Sequence, residues 1–247
     1  VLKGLNLEVE EGELVSLLGP SGCGKTTTLR VVAGFIEPQG GIFSLDGADL
    51  TKVPVHKRNF GIVFQSYALF PHLSVYDNVA FGLKIRKLDK AEMDKKVKNI
   101  LEVCGLTEFA NRFPQQMSGG QRQRVGIAQA LLGMPEFLIF DEPTVGLDPE
   151  ERIRFRNLFS ETAQNKLVLL STHIIDDVQS VCNRLIIIDH GRILFTGTPE
   201  ELIRQASVSV CLLLPKGVCF RLRPLCDILP AVFQCLHGLR RRVGIRV

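Results

Sequence analysis

The sequence has 247 residues, of which 45% are hydrophobic and 23% are charged, and its formal net charge is +4. This length fits one large domain, or one domain with an appendage, and the composition is globular rather than disordered. The longest apolar runs are far shorter than the ~18–20 residues that span a bilayer, so we expect neither an integral membrane protein nor a secretory signal. The chain begins with Val1 rather than Met, and we expect its natural start to be missing or processed.

The positive charge is concentrated near the C-terminus. Residues 207–247 hold seven basic residues and one acidic residue, whereas the other 206 residues carry 23 basic and 25 acidic groups, a net charge of −2. A near-neutral body has no nucleic-acid footprint, so no nucleic-acid partner is expected. Four of the seven cysteines also lie in this tail, at spacings that fit no zinc site, and we expect reduced thiols in the cytoplasm.

Short apolar segments alternate with helical ones along the chain. The predicted strands are 1–18 with a turn at Glu11-Gly12, then 41–45, 61–64, 137–140, 167–170, 185–188 and 192–195. Helices are predicted from Lys25, through most of 74–133, from Pro149 and from Pro199. This order predicts an α/β fold with a mostly parallel sheet, helices on both faces, an antiparallel piece near the start and a helical insertion at about 74–133.

The pattern changes near Gln205. Beyond this point apolar residues, cysteines and arginines are mixed with neither a helical nor a strand period, and three prolines interrupt the stretch. We therefore divide the chain into a domain at 1–204 and an atypical basic, Cys-rich tail at 205–247, which is not necessarily a native domain.

A phosphate-binding loop lies between the strand that ends at Leu18 and the next helix. Gly19, Pro20, Ser21, Gly22, Cys23, Gly24, Lys25 and Thr26 match G-x-x-x-x-G-K-[ST], and Thr27 follows them. In such a loop, backbone N–H groups surround phosphate oxygens, and the helix N-terminus adds partial positive charge. We expect Lys25 to reach the β- and γ-phosphates of ATP and Thr26 to bind Mg²⁺. The alternative is a Gly-rich turn before a helix, which explains neither side chain. The sequence therefore predicts a P-loop NTPase fold.

Three further side chains end strands of the predicted parallel sheet. Asp141 and Glu142 follow an apolar strand, and His173 follows another. Because parallel strands deliver their carboxyl ends to one edge, we expect all three beside the phosphates. Asp141 suits Mg²⁺, Glu142 a general base for water, and His173 a sensor of the γ-phosphate. Taken singly, an acidic strand end or a histidine is more often a loop or strand cap.

A second anion site is predicted where Ser118, Gly119, Gly120 and Gln121 open a helix. An ordinary serine cap is the alternative. One chain does not need two phosphate cradles for one nucleotide. Two chains that face each other head-to-tail would explain both cradles, because each chain would close the other's site.

Together these motifs, with Gln65 and Asp148, resemble the nucleotide-binding subunits of ATP-binding cassette (ABC) transporters over residues 1 to about 204. The resemblance implies an ATP hydrolase with ATP and Mg²⁺ bound, working as a dimer on transmembrane permease subunits at the cytoplasmic face of the membrane. It implies that Gln65 links Mg²⁺ and water to the permease, and that Asp148, also a helix cap, crosses the dimer interface.

The two halves resemble different branches of this family. Residues 61–72 are similar to sugar, polyamine and compatible-solute importers, whereas Gln129–Leu132 and Thr144–Asp148 are more similar to drug and antibiotic efflux ATPases. We expect an importer-type subunit, because the partner surface around Gln65 comes mainly from the importer-like half, where an apolar group that flanks Gln65 would form a groove for a permease helix. That group comprises Tyr67, Leu69, Phe70, Leu73, Tyr76 and Phe81. The alternatives are an efflux ATPase, a soluble ABC ATPase of DNA repair or translation, and an inactive mosaic chain.

The family usually carries an aromatic residue that stacks on adenine, upstream of where this chain begins. Residues 1–18 contain no aromatic side chain. Because stacking on a base contributes roughly 1–3 kcal/mol, the strength of ATP binding stays open at this stage.

Overall fold

The computed structural model of the chain describes residues 1–162, 166–174 and 182–211. Its strands are β1 (Leu14–Leu18), β2 (Ser44–Leu45), β3 (Ala48–Asp49), β4 (Gly61–Val63), β5 (Phe137–Asp141), β6 (Leu167–Thr172), β7 (Arg184–Asp189) and β8 (Arg192–Gly197). Its α-helices are α1 (Lys25–Ala33), α2 (Val75–Ile85), α3 (Lys90–Val103), α4 (Gly119–Leu132), α5 (Pro149–Thr162) and α6 (Pro199–Cys211).

Six of the strands form one sheet in the order β4-β5-β6-β1-β7-β8. The pairs β4–β5, β5–β6, β6–β1 and β1–β7 are parallel, and β8 runs antiparallel to β7. The register sets Leu18 beside Thr172 and Asp141 beside Ser171. The carboxyl ends of β1, β5 and β6 therefore meet at one edge, and the predicted mostly parallel sheet is confirmed.

The two faces of the sheet carry separate hydrophobic clusters. Leu138, Phe140 and Leu170 point to the face covered by α2, α3 and α4, whereas Ile139 and Leu169 point to the face covered by α1. This split follows from the two-residue period of a strand, because successive side chains face opposite sides. The helical insertion therefore packs on one face and the P-loop helix on the other.

The prediction of strands over the first residues is wrong for 1–13, since regular strand structure begins at Leu14. Leu5, Leu7 and Val9 nevertheless pack, partly buried, against the cluster on the α1 face. The alternation of these apolar residues with polar ones therefore predicted their burial correctly. A strand also needs a hydrogen-bonded neighbouring strand, which alternation along the sequence does not specify. The antiparallel piece is the β2–β3 hairpin, which turns at Asp46-Gly47 with both residues at positive φ.

Side-chain caps begin the helices where the sequence predicts. The hydroxyl of Ser74 accepts a hydrogen bond from the N–H of Asp77, the carboxylate of Asp89 caps α3, and Thr198 caps α6. The predicted domain boundary at 204–205 falls inside α6, and residues 212–247 of the predicted tail lie outside the described residues. Each helix in the described ranges is too short or too polar to cross a membrane.

Candidate nucleotide-binding site

The P-loop joins the end of β1 to the start of α1, as the motif predicts. Gly22 and Gly24 have φ values of 81° and 120°, a region that glycine adopts without strain. A Cβ on Gly19 would collide with the backbone oxygen of Ile188 and with the Cys23 sulfur. The loop conformation therefore requires glycine at these positions, and α1 begins at Lys25.

The ammonium group of Lys25 lies across the loop. It donates hydrogen bonds to the backbone oxygens of Gly19, at 2.7 Å, and Pro20, at 3.2 Å, and it lies 3.6 Å from Oε1 of Glu142. Only 4% of Lys25 is exposed. The charge is thus held between the loop and the acidic strand end, where phosphate oxygens would meet it.

Asp141 ends β5 on the face that carries α1. Its Oδ1 accepts hydrogen bonds from the hydroxyls of Thr26, at 3.0 Å, and Ser171, at 2.8 Å. A carboxylate and a hydroxyl brought together from two elements are the hard oxygen donors that Mg²⁺ prefers. Thr26 and Asp141 therefore fit the metal predicted for them.

Glu142 follows with its backbone in the left-handed region, at φ 48°. Its N–H donates to both the backbone oxygen of Ser171, at 3.1 Å, and the Ser171 hydroxyl, at 3.0 Å. Its Oε2 lies 3.5 Å from Nδ1 of His173, whose side chain is 43% exposed. Lys25, Glu142 and His173 thus converge from three strand ends.

The other predicted site residues belong to three separate segments. Gln65 follows β4, whose end lies beside β5 in the parallel register that pairs Val63 with Phe140, whereas Ser118–Gln121 begins α4 and Asp148 precedes α5. Within the described part of the chain, the hydrogen bonds and ion pairs that join Lys25, Thr26, Asp141, Glu142 and His173 do not involve these three segments. Gln65 is exposed in the turn after β4, and Asp148 is exposed, with Oδ1 accepting the N–H of Glu151 as the cap of α5.

The Ser118–Gln121 segment opens α4 with a reciprocal capping box. The Ser118 hydroxyl accepts the N–H of Gln121, and the Gln121 side chain accepts the N–H of Ser118. Ser118 is exposed, whereas Gly120 is buried against the carboxylate of Glu151. The serine is therefore a cap, as one interpretation predicts, and it lies on the surface where a second chain could reach it.

A groove of about 340 Å³ lies beside Gln65, between the turn after β4 and α2. Phe64, Tyr67, Phe70 and Phe81 are among its lining residues. The ring centroids of Phe70 and Phe81 are 4.4 Å apart. The side-chain amide of the buried Asn78 accepts a hydrogen bond from the N–H of Phe70 and donates one to the backbone oxygen of Phe70. These contacts fix the apolar wall of the groove.

The apolar group predicted around Gln65 divides between this groove and the interior. Tyr67, Phe70 and Phe81 line the groove, whereas Leu69 and Tyr76 pack against the core and Leu73 is partly buried. Burial, with help from a hydrogen bond to Asp94, raises the pKa of Tyr76 to about 12.

Sequence reasoning missed Ser171, which bonds both acidic residues. The available signal was a hydroxyl residue near the end of an apolar strand that leads to His173. That signal became specific only with the β5–β6 register, which sets Ser171 directly beside Asp141.

Known proteins match the chain over most of its length. A model of the ABC transporter family matches residues 2–145. The spermidine/putrescine import ATP-binding protein PotA of Spiroplasma citri is 44% identical over 208 residues, which is 83% of this chain and 59% of that protein. The Fe(3+) ions import ATP-binding protein FbpC of Photobacterium profundum is 44% identical over 209 residues, with coverages of 84% and 60%. The chain thus spans about three fifths of the length of these relatives.

Solved structures agree with this relationship. The ATP-binding cassette MJ0796, in a dimeric post-hydrolysis state bound to ADP and Pi, is 32% identical, with a TM-score of 0.74 over 80% of this chain and 90% of that one. The cbiO1 protein of Clostridium perfringens, part of the transporter complex cbiONQ, is 33% identical with a TM-score of 0.76 and coverages of 87% and 89%. Because the sequence, the fold and the P-loop geometry all agree with this relationship, the chain belongs to the ABC transporter family.

Proposed function

We propose that this chain binds and hydrolyses ATP as the energising subunit of an importer-type ABC transporter. The observation that carries the proposal is the convergence of Lys25, Thr26, Asp141, Glu142 and His173 at one edge of the sheet, directly after the P-loop. We place the ATPase domain at residues 1–204 and treat 205–247 as a segment appended to it.

Each residue at this edge has a separate task. The N–H groups of the P-loop hold the phosphates, and Lys25 exchanges its bonds to Gly19 and Pro20 for phosphate oxygens. Thr26 and Asp141 would hold Mg²⁺, with Gln65 approaching from the turn after β4; when bound, the metal neutralises charge on the phosphates. Glu142 takes the proton of the attacking water. His173, beside Glu142, contacts the γ-phosphate.

The functional unit is a head-to-tail dimer. The exposed start of α4 at Ser118–Gln121 presents N–H groups and a partial positive charge to the ATP of a second copy, and Asp148 lies at the same interface. The dimeric state of the related cassette bound to ADP and Pi supports this arrangement.

The groove beside Gln65 receives a short helix of a permease, which places the chain at the cytoplasmic face of the membrane as a peripheral subunit. An apolar groove of this kind accepts an amphipathic helix through a few apolar anchors.

The importer class is favoured because importer ATP-binding proteins align over more than four fifths of the chain, and therefore across both halves. Co-expression with an importer permease and with an efflux permease should give capture by the importer. Exclusive capture by the efflux permease would favour an efflux ATPase instead.

Two variants test the hydrolytic assignment. Glu142→Gln removes the base but leaves the phosphate cradle, so it should bind ATP, lose most turnover and accumulate an ATP-bound dimer. Lys25→Ala removes a charge that meets the phosphates, so it should weaken binding itself. A fluorescent ATP analogue measures binding, phosphate release measures turnover, and light scattering with Mg·ATP measures the dimer.

The proposal fails if the parent chain does not turn over ATP, which is the result expected of an inactive mosaic. It also fails if Glu142→Gln turns over at the parent rate, or if Lys25→Ala binds the analogue as well as the parent does.

A further inference from the structure

Ser171 is fully buried in β6, directly beside Asp141 of β5 in the register of the two parallel strands. Both residues point to the face of the sheet that carries α1, because they continue the alternation of Ile139 and Leu169. The Ser171 hydroxyl lies 2.8 Å from Oδ1 of Asp141 and 3.0 Å from the backbone nitrogen of Glu142. One small side chain therefore contacts both acidic residues of the site.

The direction of these two hydrogen bonds is fixed by chemistry. The N–H of Glu142 can only donate, so the Ser171 oxygen accepts from it. The hydroxyl has a single proton, which is thus directed to Oδ1 of Asp141. Thr26 donates to the same oxygen, so both hydroxyl donors meet at Oδ1 and the second carboxylate oxygen is the one available to a metal ion.

We infer that Ser171 is a positioning residue for the acidic pair, an inference that rests on the function proposed above. Its proton orients the carboxylate of Asp141 for Mg²⁺. Its oxygen holds the N–H of Glu142, which helps to keep that residue in the left-handed conformation that aims its carboxylate between Lys25 and His173. Groups that orient a metal ligand in this way commonly change metal affinity or activity by about ten- to a hundredfold.

The hydroxyl is not the only link between Ser171 and the backbone of Glu142. The backbone oxygen of Ser171 also accepts the N–H of Glu142, so the connection between the strand ends survives when the side chain is truncated. Loss of the hydroxyl therefore separates the positioning role from a role in folding.

The test uses Ser171→Thr and Ser171→Val, which have nearly the same shape and differ in the hydroxyl, together with Ser171→Ala, which adds no bulk. Ser16 supplies a matched control: it is equally buried in the neighbouring strand β1, and its hydroxyl has no partner among the described residues. Ser16→Ala removes the same group without touching the acidic pair.

Two measurements are made on the full chain: ATP turnover, and the affinity for Mn²⁺ in place of Mg²⁺ with a non-hydrolysable ATP analogue. We expect Ser171→Val and Ser171→Ala to lose about ten- to a hundredfold in each. Ser171→Thr should retain most of both, and Ser16→Ala should match the parent. Binding of the fluorescent ATP analogue without metal should stay within about twofold of the parent in every variant, because the phosphate cradle is intact.

The inference is overturned if Ser171→Val and Ser171→Ala keep the Mn²⁺ affinity and turnover of the parent. It is also overturned if they lose nucleotide binding without metal, since Ser171 would then support the P-loop rather than the acidic pair. If the parent does not hydrolyse ATP, the proposed function fails, whereas a parent that hydrolyses ATP beside unaffected Ser171 variants contradicts only this inference.

Discussion

At the scale of single residues, Glu142 holds a conformation that its own chemistry disfavours. A φ of 48° places its Cβ close to the backbone, which costs an L-residue about 1–2 kcal/mol and glycine almost nothing. The carboxylate nevertheless lies where Lys25 and His173 meet it, with only 14% of the side chain exposed. Stability and the proposed catalytic role therefore favour different residues at this position.

This conflict predicts an unusual order of stability. Glu142→Gly should be more stable than Glu142→Ala by about 1 kcal/mol, although both lose turnover, because glycine relieves the left-handed strain. In urea unfolding, the midpoint of the glycine variant should be the higher one.

The control for this prediction is an exposed position inside a helix. Lys98 lies in the middle of α3, where Lys98→Gly should be less stable than Lys98→Ala by about 1 kcal/mol. The strain argument is wrong if the order of the two variants is the same at 142 and 98.

The residues proposed to contact phosphate and metal were predictable because a short motif and the ends of strands specify them. Lys25, Thr26, Asp141, Glu142 and His173 follow from the P-loop and the strand order alone. Ser171 did not, because its partner is set by the register between β5 and β6, which depends on packing along the whole of both strands.

At the scale of elements, a buried arginine ties the P-loop helix to the segment that follows the β2–β3 hairpin. The guanidinium of Arg58 donates to the backbone oxygen of Val32 near the end of α1, at 2.6 Å, and to those of Val53, at 2.7 Å, and Thr51, at 3.1 Å. Burial lowers its pKa from the usual value for arginine. Gly34 ends α1 in the left-handed conformation, at φ 87°, and a Cβ at this position would also occupy the space of the guanidinium.

Loss of this contact should destabilise the domain. Arg58→Met keeps much of the volume but leaves backbone oxygens without donors, so the free energy of unfolding should fall by about 2–3 kcal/mol. Arg30→Met makes the same chemical change at an exposed position of α1, the helix that Arg58 contacts, and should alter the free energy of unfolding by less than about 0.5 kcal/mol. Chemical denaturation measures both variants, and equal losses would show that the contacts of Arg58 contribute nothing beyond the loss of one positive charge.

Helix starts that carry a local capping signal were predicted well, whereas the strands predicted over residues 1–13 were not found. The caps at Ser74, Asp89 and Thr198 marked helix starts within one residue. The prediction of strands over 1–13 was wrong because alternation of apolar residues indicates burial. A strand also needs a hydrogen-bonded neighbouring strand, and the local sequence does not specify which segment that is. The buried contacts of Arg58 could likewise not be predicted, since an arginine in the sequence is usually exposed at the surface.

At the scale of the whole molecule, the two proposed anion-binding features belong to different layers of the fold. The P-loop lies at the edge of the sheet on the α1 face, whereas the start of α4 belongs to the insertion that packs on the opposite face. The Glu151 carboxylate ties this start of α4 to α5 by contacting Gly120 and lying 3.8 Å from Arg124. The proposed dimer explains this separation, because the exposed Ser118 would complete the site of a second copy.

Complementation between two inactive variants tests that arrangement. Ser118→Glu places a negative charge where the partner's ATP would lie, and Lys25→Ala disables the P-loop, so each variant alone should be inactive. In a mixed dimer, however, one site combines an intact Lys25 with an intact Ser118 from the other chain. Equal mixing should therefore restore about a quarter of the parent turnover, since half of the dimers are mixed and each keeps one of two sites.

Ser118→Asn, which retains the helix cap without added charge, controls for loss of the cap. If turnover in the mixture equals the average of the two variants measured separately, both motifs act within one chain, and the head-to-tail dimer is wrong.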